Sequence, residues 1–197
     1  MAEQLWLIRH GETEWSAAGR HTGRTDVPLT DEGRRQASMV GWRLSGHSFA
    51  LLLSSPLARA RETCRLAGYG DVAELTEDLR EWDYGDYEGL TIADIRKEVP
   101  GWTIWTHGPR GGETIGEVAA RVVRVIDRAF SLAGDVALFA HGHVLRILAA
   151  RWLGLPPETG RFLALGTASL SVLGYERETR VITTWNQDWR LFPRETI

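Results

Sequence analysis

The 197-residue sequence predicts an α/β layered fold, and three observations carry that expectation. Short apolar runs alternate with amphipathic stretches of helical period, the pattern of strands and helices stacked in layers. Two of the apolar runs pass directly into a His-Gly turn, at His10-Gly11 and at His141-Gly142. At 43% hydrophobic and 25% charged residues, the chain has the composition of a folded domain with a substantial core. We expect one domain over residues 1–197, with a lid or side wall at about residues 85–112, the longest stretch without clear periodicity.

The first strand is read at Leu5, Trp6, Leu7 and Ile8, and it ends in Arg9, His10 and Gly11. A polar, glycine-containing loop follows, up to Thr30. Thr30 is placed to cap a helix whose first turn holds Asp31 and Glu32, where the helix dipole favours acids. Ala37, Val40, Gly41 and Leu44 follow at helical spacing. "FALLLSS" reads as a second buried strand, with Ser55 as cap and Pro56 in the first turn of the next helix. Thr114 and Glu117 form a capping-box pattern before a helix with Ile115, Val118, Ala119, Val122, Val125, Ile126 and Ala129 on one face. "DVALFAHGHVLRILAARWLG" is again strand, sharp turn and helix. "SLSVLGYE" and "RVITTWNQ" read as late strands joined by a turn around Glu176 to Arg180.

Composition also excludes function classes. Lys+Arg 23 against Asp+Glu 26 gives a net charge of −3, so no basic surplus exists to displace counterions from nucleic acid. Cys64 is the only cysteine, which rules out an intrachain disulfide and a cysteine metal cluster. No apolar run approaches the ~20 residues of a membrane span. The expectation is a soluble, cytoplasmic protein with no nucleic-acid or membrane partner, no metal and no cofactor. Some of its nine tryptophans are candidates for a homodimer interface.

Four features carry chemistry. An Arg-His-Gly turn after a strand is common on surfaces, and a single strand-end histidine is usually structural. Two such turns, each at the carboxyl end of a strand, are harder to dismiss. Ligands of open α/β sheets bind beyond those ends, so His10 and His141 are expected to face one crevice. Arg59 falls in the first turn of its helix, off the apolar stripe, where a cation opposes the helix dipole. That placement makes sense if it faces an anion at the helix mouth. "LREWDYGDYEG" sets Glu81 among Trp82, Tyr84 and Tyr87, whose bulk is expected to desolvate it. A carboxylic acid kept protonated can give its proton to a leaving group. Together these parts describe a phosphate site. Arg9 and Arg59 would chelate a phosphoryl group, and a neutral imidazole would attack phosphorus.

The motifs "RHGETEW", "TGRTDVPLT", "SSPLARARET", "LREWDYGDYEG", "GGET" and "AHGH" occur in one order from Arg9 to His143. In that combination the sequence resembles the histidine phosphatase, or phosphoglycerate mutase-like, superfamily, and most closely its acid phosphatase and sugar-bisphosphatase-like branch. The resemblance implies an α/β/α domain with a central, mostly parallel sheet. It matches His10 to the phosphorylated nucleophile, Glu81 to the proton donor, and Arg9, Arg59 and His141 to the rest of the phosphate pocket. Thr22 and Gly23 fall where relatives contact substrate, and Ser16 stands where many members have asparagine. Tyr84 and Gly142 complete the expected binding set, and Glu113 is common in the phosphatase branch.

The span from Gly89 to Glu113 is shorter than in mutases that resemble the chain elsewhere, and the chain ends soon after its last strand. Hydrolysis of a small-molecule phosphomonoester is therefore expected. A phosphoglycerate-type mutase and a protein-directed phosphatase or phosphate-binding module are the alternatives. Substrate choice is expected to rest on the Ser16 to Thr25 loop, the Trp82 to Tyr87 turn and the segment near Trp102 to Gly112, with Trp105, His107 and Arg110 suited to a sugar phosphate or bisphosphate.

Overall fold

The computed structural model describes residues 3–188. Its six strands are β1 (Leu5–Arg9), β2 (Leu51–Ser54), β3 (Glu74–Leu75), β4 (Val136–Ala140), β5 (Leu170–Glu176) and β6 (Thr179–Gln187). Its α-helices are α1 (Glu14–Ala17), α2 (Asp31–Leu44), α3 (Ala58–Leu66), α4 (Ile92–Glu98), α5 (Ile104–His107), α6 (Ile115–Phe130) and α7 (Gly142–Trp152). One sheet runs in the order β3-β2-β4-β1-β5-β6. The β3, β2, β4 and β1 pairings are parallel, and β5 and β6 extend the sheet as an antiparallel hairpin.

Strand side chains alternate between the two faces, and each face has its own core. Leu5, Leu7, Leu51, Leu53, Val136 and Leu138 pack with Val118, Val122 and Val125 of α6 and Val144 and Leu148 of α7. Ile8, Leu52, Ala137 and Phe139 pack on the other face with Val40 and Leu44 of α2 and Cys64 of α3. The expected α/β/α layering with a mostly parallel centre is therefore what the chain forms.

The register prepares the site. Arg9 of β1 lies opposite Ala140 of β4. The next residue of each strand is a histidine, so His10 and His141 leave the sheet side by side at its carboxyl edge. Gly11 is required there: a Cβ on it would stand 2.3 Å from the Gly33 carbonyl oxygen, because the loop packs backbone to backbone on α2. Thr30 caps α2 through the Gly33 N–H, and Thr114 with Glu117 forms a capping box on α6, both as the sequence predicts.

Two local readings need correction, and the expected lid or side wall takes a definite form. Helix α3 begins at Ala58, with Leu57 at the N-cap and no side-chain cap of its own. Ser55 stops one residue short of it: its hydroxyl oxygen accepts the Leu57 N–H at 3.3 Å and is also bonded to His141. Asp26 in the preceding loop instead accepts the Ala58 N–H at 2.7 Å. The loop after β1 contains a one-turn helix, α1, closed by a Thr13–Ser16 capping box. Finally, the 85–112 segment is a packed wall carrying α4 and α5. Ile95, Trp102 and Ile104 are buried in the core beneath it.

Candidate active site

Three elements converge at the carboxyl edge of the sheet: the β1 turn, the N-terminus of α7 and the turn carrying Glu81. They enclose a cavity of about 200 Å³. Arg9, His10, Ser16, Thr22, Glu81, Tyr84 and Gly142 of the expected set line it. So do Arg20 and His21, which belong to the expected Ser16 to Thr25 wall, and His143, Arg146 and Leu165, which the sequence did not single out for this role.

The His10 and His141 rings lie 5.1 Å apart between centroids. His10 Nδ1 is 2.7 Å from the Gly11 carbonyl oxygen. A carbonyl only accepts, so Nδ1 carries the proton and Nε2 keeps its lone pair. Burial, followed by Arg59 and Arg9, holds the His10 imidazolium well below the ordinary histidine range. The ring is a neutral base whose Nε2 has no hydrogen-bond partner among the described residues.

His141 is wired the other way. Its Nδ1 accepts from Arg59 Nε at 3.1 Å, and its Nε2 is 2.7 Å from Ser55 Oγ. An arginine only donates, so Nδ1 is unprotonated and Nε2 donates to Ser55. Burial and then Arg59 also hold this ring neutral.

The arginines divide similarly. Arg9 Nη1 donates to the Leu165 carbonyl, while its buried Nε has no protein partner. A buried N–H of that kind in a cavity wall marks a donor kept for a ligand. Burial pulls the Arg9 guanidinium down from its usual range, and the nearby Glu81 and Tyr84 oppose that shift. Arg59 is fully buried, and gives Nη1 to Thr25 O and Nη2 to Thr22 O and Gly23 O. With the bond to His141 these use four of its five N–H donors and tie the loop of residues 22–25 to that ring, while its charge acts on the His10 imidazole. Gly23 departs from the expectation: its N–H is taken by the Glu88 carboxylate at 2.9 Å and its carbonyl by Arg59, which places it behind the wall.

Glu81 is buried, but aromatic bulk is only part of its setting. Its Oε1 accepts the Trp82 and Val144 N–H groups, and its Oε2 accepts the His143 N–H, each at 3.0 Å. The carboxyl thus sits on the N-terminus of α7, where oriented amides and the helix dipole meet it. The Gly142 N–H opens the same first turn, where the helix itself offers no acceptor. Tyr84 Oη lies 2.7 Å from His143 Nδ1, and burial pushes that phenol well above its usual range, so it stays neutral. His143 and His21 stack nearly parallel with centroids 6.4 Å apart. Burial lowers both imidazoles.

Other expected wall residues stand elsewhere. Trp82 is fully buried behind the site and bonds Glu113 O through Nε1. His107 is tied to Thr103 and Thr106 on α5, and neither it nor Arg110 lines the cavity. Trp105 backs Arg146, whose guanidinium lies 4.6 Å over its ring. The clue to Arg146 was present in "AHGHVLR", five residues beyond His141. The Cys64 thiol is pushed up to about 12 by burial and lies outside the cavity, which excludes it as a thiolate nucleophile there. Among the described residues no group of three His, Cys, Asp or Glu side chains is placed to hold a metal ion, and no helix is long and apolar enough to cross a membrane.

Comparison with known proteins bears on the same site. The family model described as histidine phosphatase superfamily (branch 1) matches residues 5–188. An acid phosphatase of Mycobacterium tuberculosis is 43% identical over 185 residues, covering 90% of this chain and 89% of that protein. A sedoheptulose 1,7-bisphosphatase of Saccharomyces cerevisiae is 37% identical over 182 residues, covering 76% of this chain and 67% of its own. A solved structure of a Mycobacterium tuberculosis open reading frame superposes with a TM-score of 0.91 at 40% identity, covering 95% of this chain and 98% of that one.

Proposed function

The chain belongs to the histidine phosphatase superfamily, and on that premise we propose that it is a metal-independent phosphomonoesterase of small phosphorylated metabolites, working through a phosphohistidine at His10. The observation that carries this reading is the tautomer of His10. A neutral imidazole with its Nδ1 proton held by Gly11 O presents Nε2 as a nucleophile on a cavity wall shared with Arg9 and Glu81.

In the first step His10 Nε2 forms a bond to phosphorus while the phosphorus–ester oxygen bond breaks, and Glu81 gives its proton to the departing alcohol. Oε2 is the natural proton carrier, because it accepts one backbone N–H where Oε1 accepts two. In the second step water attacks the phosphohistidine, Glu81 takes the water proton back, and phosphate leaves. Arg9 and the Gly142 N–H provide fixed positive ends for the phosphoryl oxygens, with no metal needed.

Substrate choice follows from the wall. Arg20 and Arg146 line the cavity in addition to Arg9, which suits a substrate with a second anionic group, such as a sugar bisphosphate. The relatives with acid phosphatase and sugar bisphosphatase names support that class. A lone buried cysteine suits a reducing compartment, and we assign the enzyme to the cytoplasm.

The test is a panel of phosphorylated metabolites with acid quenching. Sugar phosphates and bisphosphates should exceed phosphopeptides in kcat/KM, acid-labile phosphate should be trapped on the wild-type chain, and EDTA should leave the rate unchanged. Phosphoryl transfer to a second substrate alcohol in preference to water would make it a mutase instead. A rate abolished by EDTA and restored by a divalent ion would overturn the metal-independent reading.

A further inference from the structure

Arg121 occupies a place where an apolar residue is expected. It lies three residues after Val118 and four before Val125 on the buried face of α6, and it is itself buried. A guanidinium there must spend its donors on protein acceptors.

It spends all five. Nε and Nη2 grip the two carboxylate oxygens of Glu113 at 3.0 Å each, a planar two-point pair. Nη1 donates to the carbonyls of Asp78 and Arg80, and the second Nη2 hydrogen goes to the carbonyl of Glu81 at 3.2 Å. Glu113 continues the grip past Glu81. Its Oε2 also accepts the Asp83 N–H at 3.0 Å, and its carbonyl accepts Trp82 Nε1 at 2.8 Å. The backbone on both sides of Glu81 is therefore tied to one partly buried ion pair, while the Glu81 carboxyl is tied separately to the α7 N-terminus.

We propose that Arg121, with Glu113 as its counter-ion, is a positioning residue for Glu81, setting where the proton donor stands relative to the leaving-group oxygen. The inference rests on the reading of Glu81 as proton donor given above. Lysine cannot replace arginine in this role, because a single ammonium cannot reach a two-point carboxylate and three carbonyls at once. Arg121 touches neither the cavity nor the reacting atoms, so it acts only through the segment it holds.

The experiment compares Arg121→Lys and Glu113→Gln with wild type and Glu81→Gln, on an alkyl phosphate and on p-nitrophenyl phosphate. The aryl leaving group needs little protonation and the alkyl one needs much. A misplaced donor should lower kcat/KM on the alkyl phosphate by about 10- to 100-fold, because kcat/KM reports the phosphorylation step alone. On the aryl phosphate, kcat/KM and inhibition by inorganic phosphate should stay within a few-fold of wild type. Equal losses on both substrates, or no loss on either, would overturn the positioning role. Should Arg121→Lys fail to fold, Glu113→Gln, which keeps the guanidinium and its three carbonyl bonds, decides by the same ratio. If Glu81→Gln itself shows no leaving-group bias, the assignment of Glu81 fails. If it shows the bias and the Arg121 and Glu113 variants do not, only the positioning role fails.

Discussion

The ends of β1 and β4 carry nearly the same local sequence, an apolar strand running into His-Gly, yet the two histidines are opposite chemical objects. His10 has its proton on Nδ1, fixed by the carbonyl of the adjacent Gly11, and an unengaged Nε2. His141 has its proton on Nε2, with both nitrogens engaged by residues far away in sequence, Arg59 and Ser55. Burial makes both rings neutral, so charge does not distinguish them. The hydrogen-bond partners do: they leave one ring with the open nitrogen that the proposed nucleophile needs and lock the other into the frame around it.

The sharpest way to break this contrast is to delete each ring in turn. His10→Ala should lose activity by on the order of 10⁵- to 10⁶-fold, the scale of removing a nucleophile, and acid quenching should trap no phosphate. His141→Gln should cost about 10²-fold, comparable to losing one electrostatic donor, and phosphate should still be trapped on His10, only more slowly. If the two variants lose activity equally and both fail to hold phosphate, the division of roles is wrong.

Neutral burial of both rings also has a thermodynamic consequence. Their folded pKa values lie below the ordinary unfolded value of about 6.5. Between those limits the unfolded chain binds more protons than the folded one, so stability falls as pH drops below about 6.5, by about 1.4 kcal/mol per pH unit for each histidine. Thermal unfolding should therefore show a lower Tm at pH 5 than at pH 7, and His141→Gln should flatten that slope. An unchanged slope in the variant would remove His141 from the buried neutral set.

The smallest effect is expected from Ser55→Ala, which deletes the acceptor for His141 Nε2–H. A single neutral hydrogen bond contributes about 1 kcal/mol, so a loss of at most about tenfold in kcat is expected, with phosphate trapping intact. A loss as large as that of His141→Gln would mean that Ser55 acts on the substrate rather than through the ring.

Much of this molecule was legible in its sequence because the signals were local. Helix α2 with Thr30, helix α6 with its capping box, the buried runs of β1, β2 and β4, and the β5–β6 hairpin follow from periodicity and turn chemistry within a few residues. The misreadings share a cause. Ser55 looked like a cap for the helix, but its hydroxyl reaches only the Leu57 N–H and is shared with His141 beyond the end of β4. Gly23 looked like a ligand contact until Glu88 took its N–H and Arg59 its carbonyl. His107 and Arg110 had the right chemistry on the wrong face. Arg121 was visible as a cation inside an apolar stripe, but three of its five acceptors are carbonyls 40 to 43 residues upstream.

By itself the sequence determined the layered fold, the family and the placing of a histidine at the end of each of two neighbouring strands, because side-chain period and strand-to-turn chemistry are properties of contiguous residues. The tertiary structure alone decided which histidine keeps a free nitrogen, which arginine keeps a free donor and what holds Glu81 in place. Those outcomes depend on which donors and acceptors are left unpaired once distant segments have packed together, and each buried polar group must find its partner among whatever the fold brings within about 3 Å.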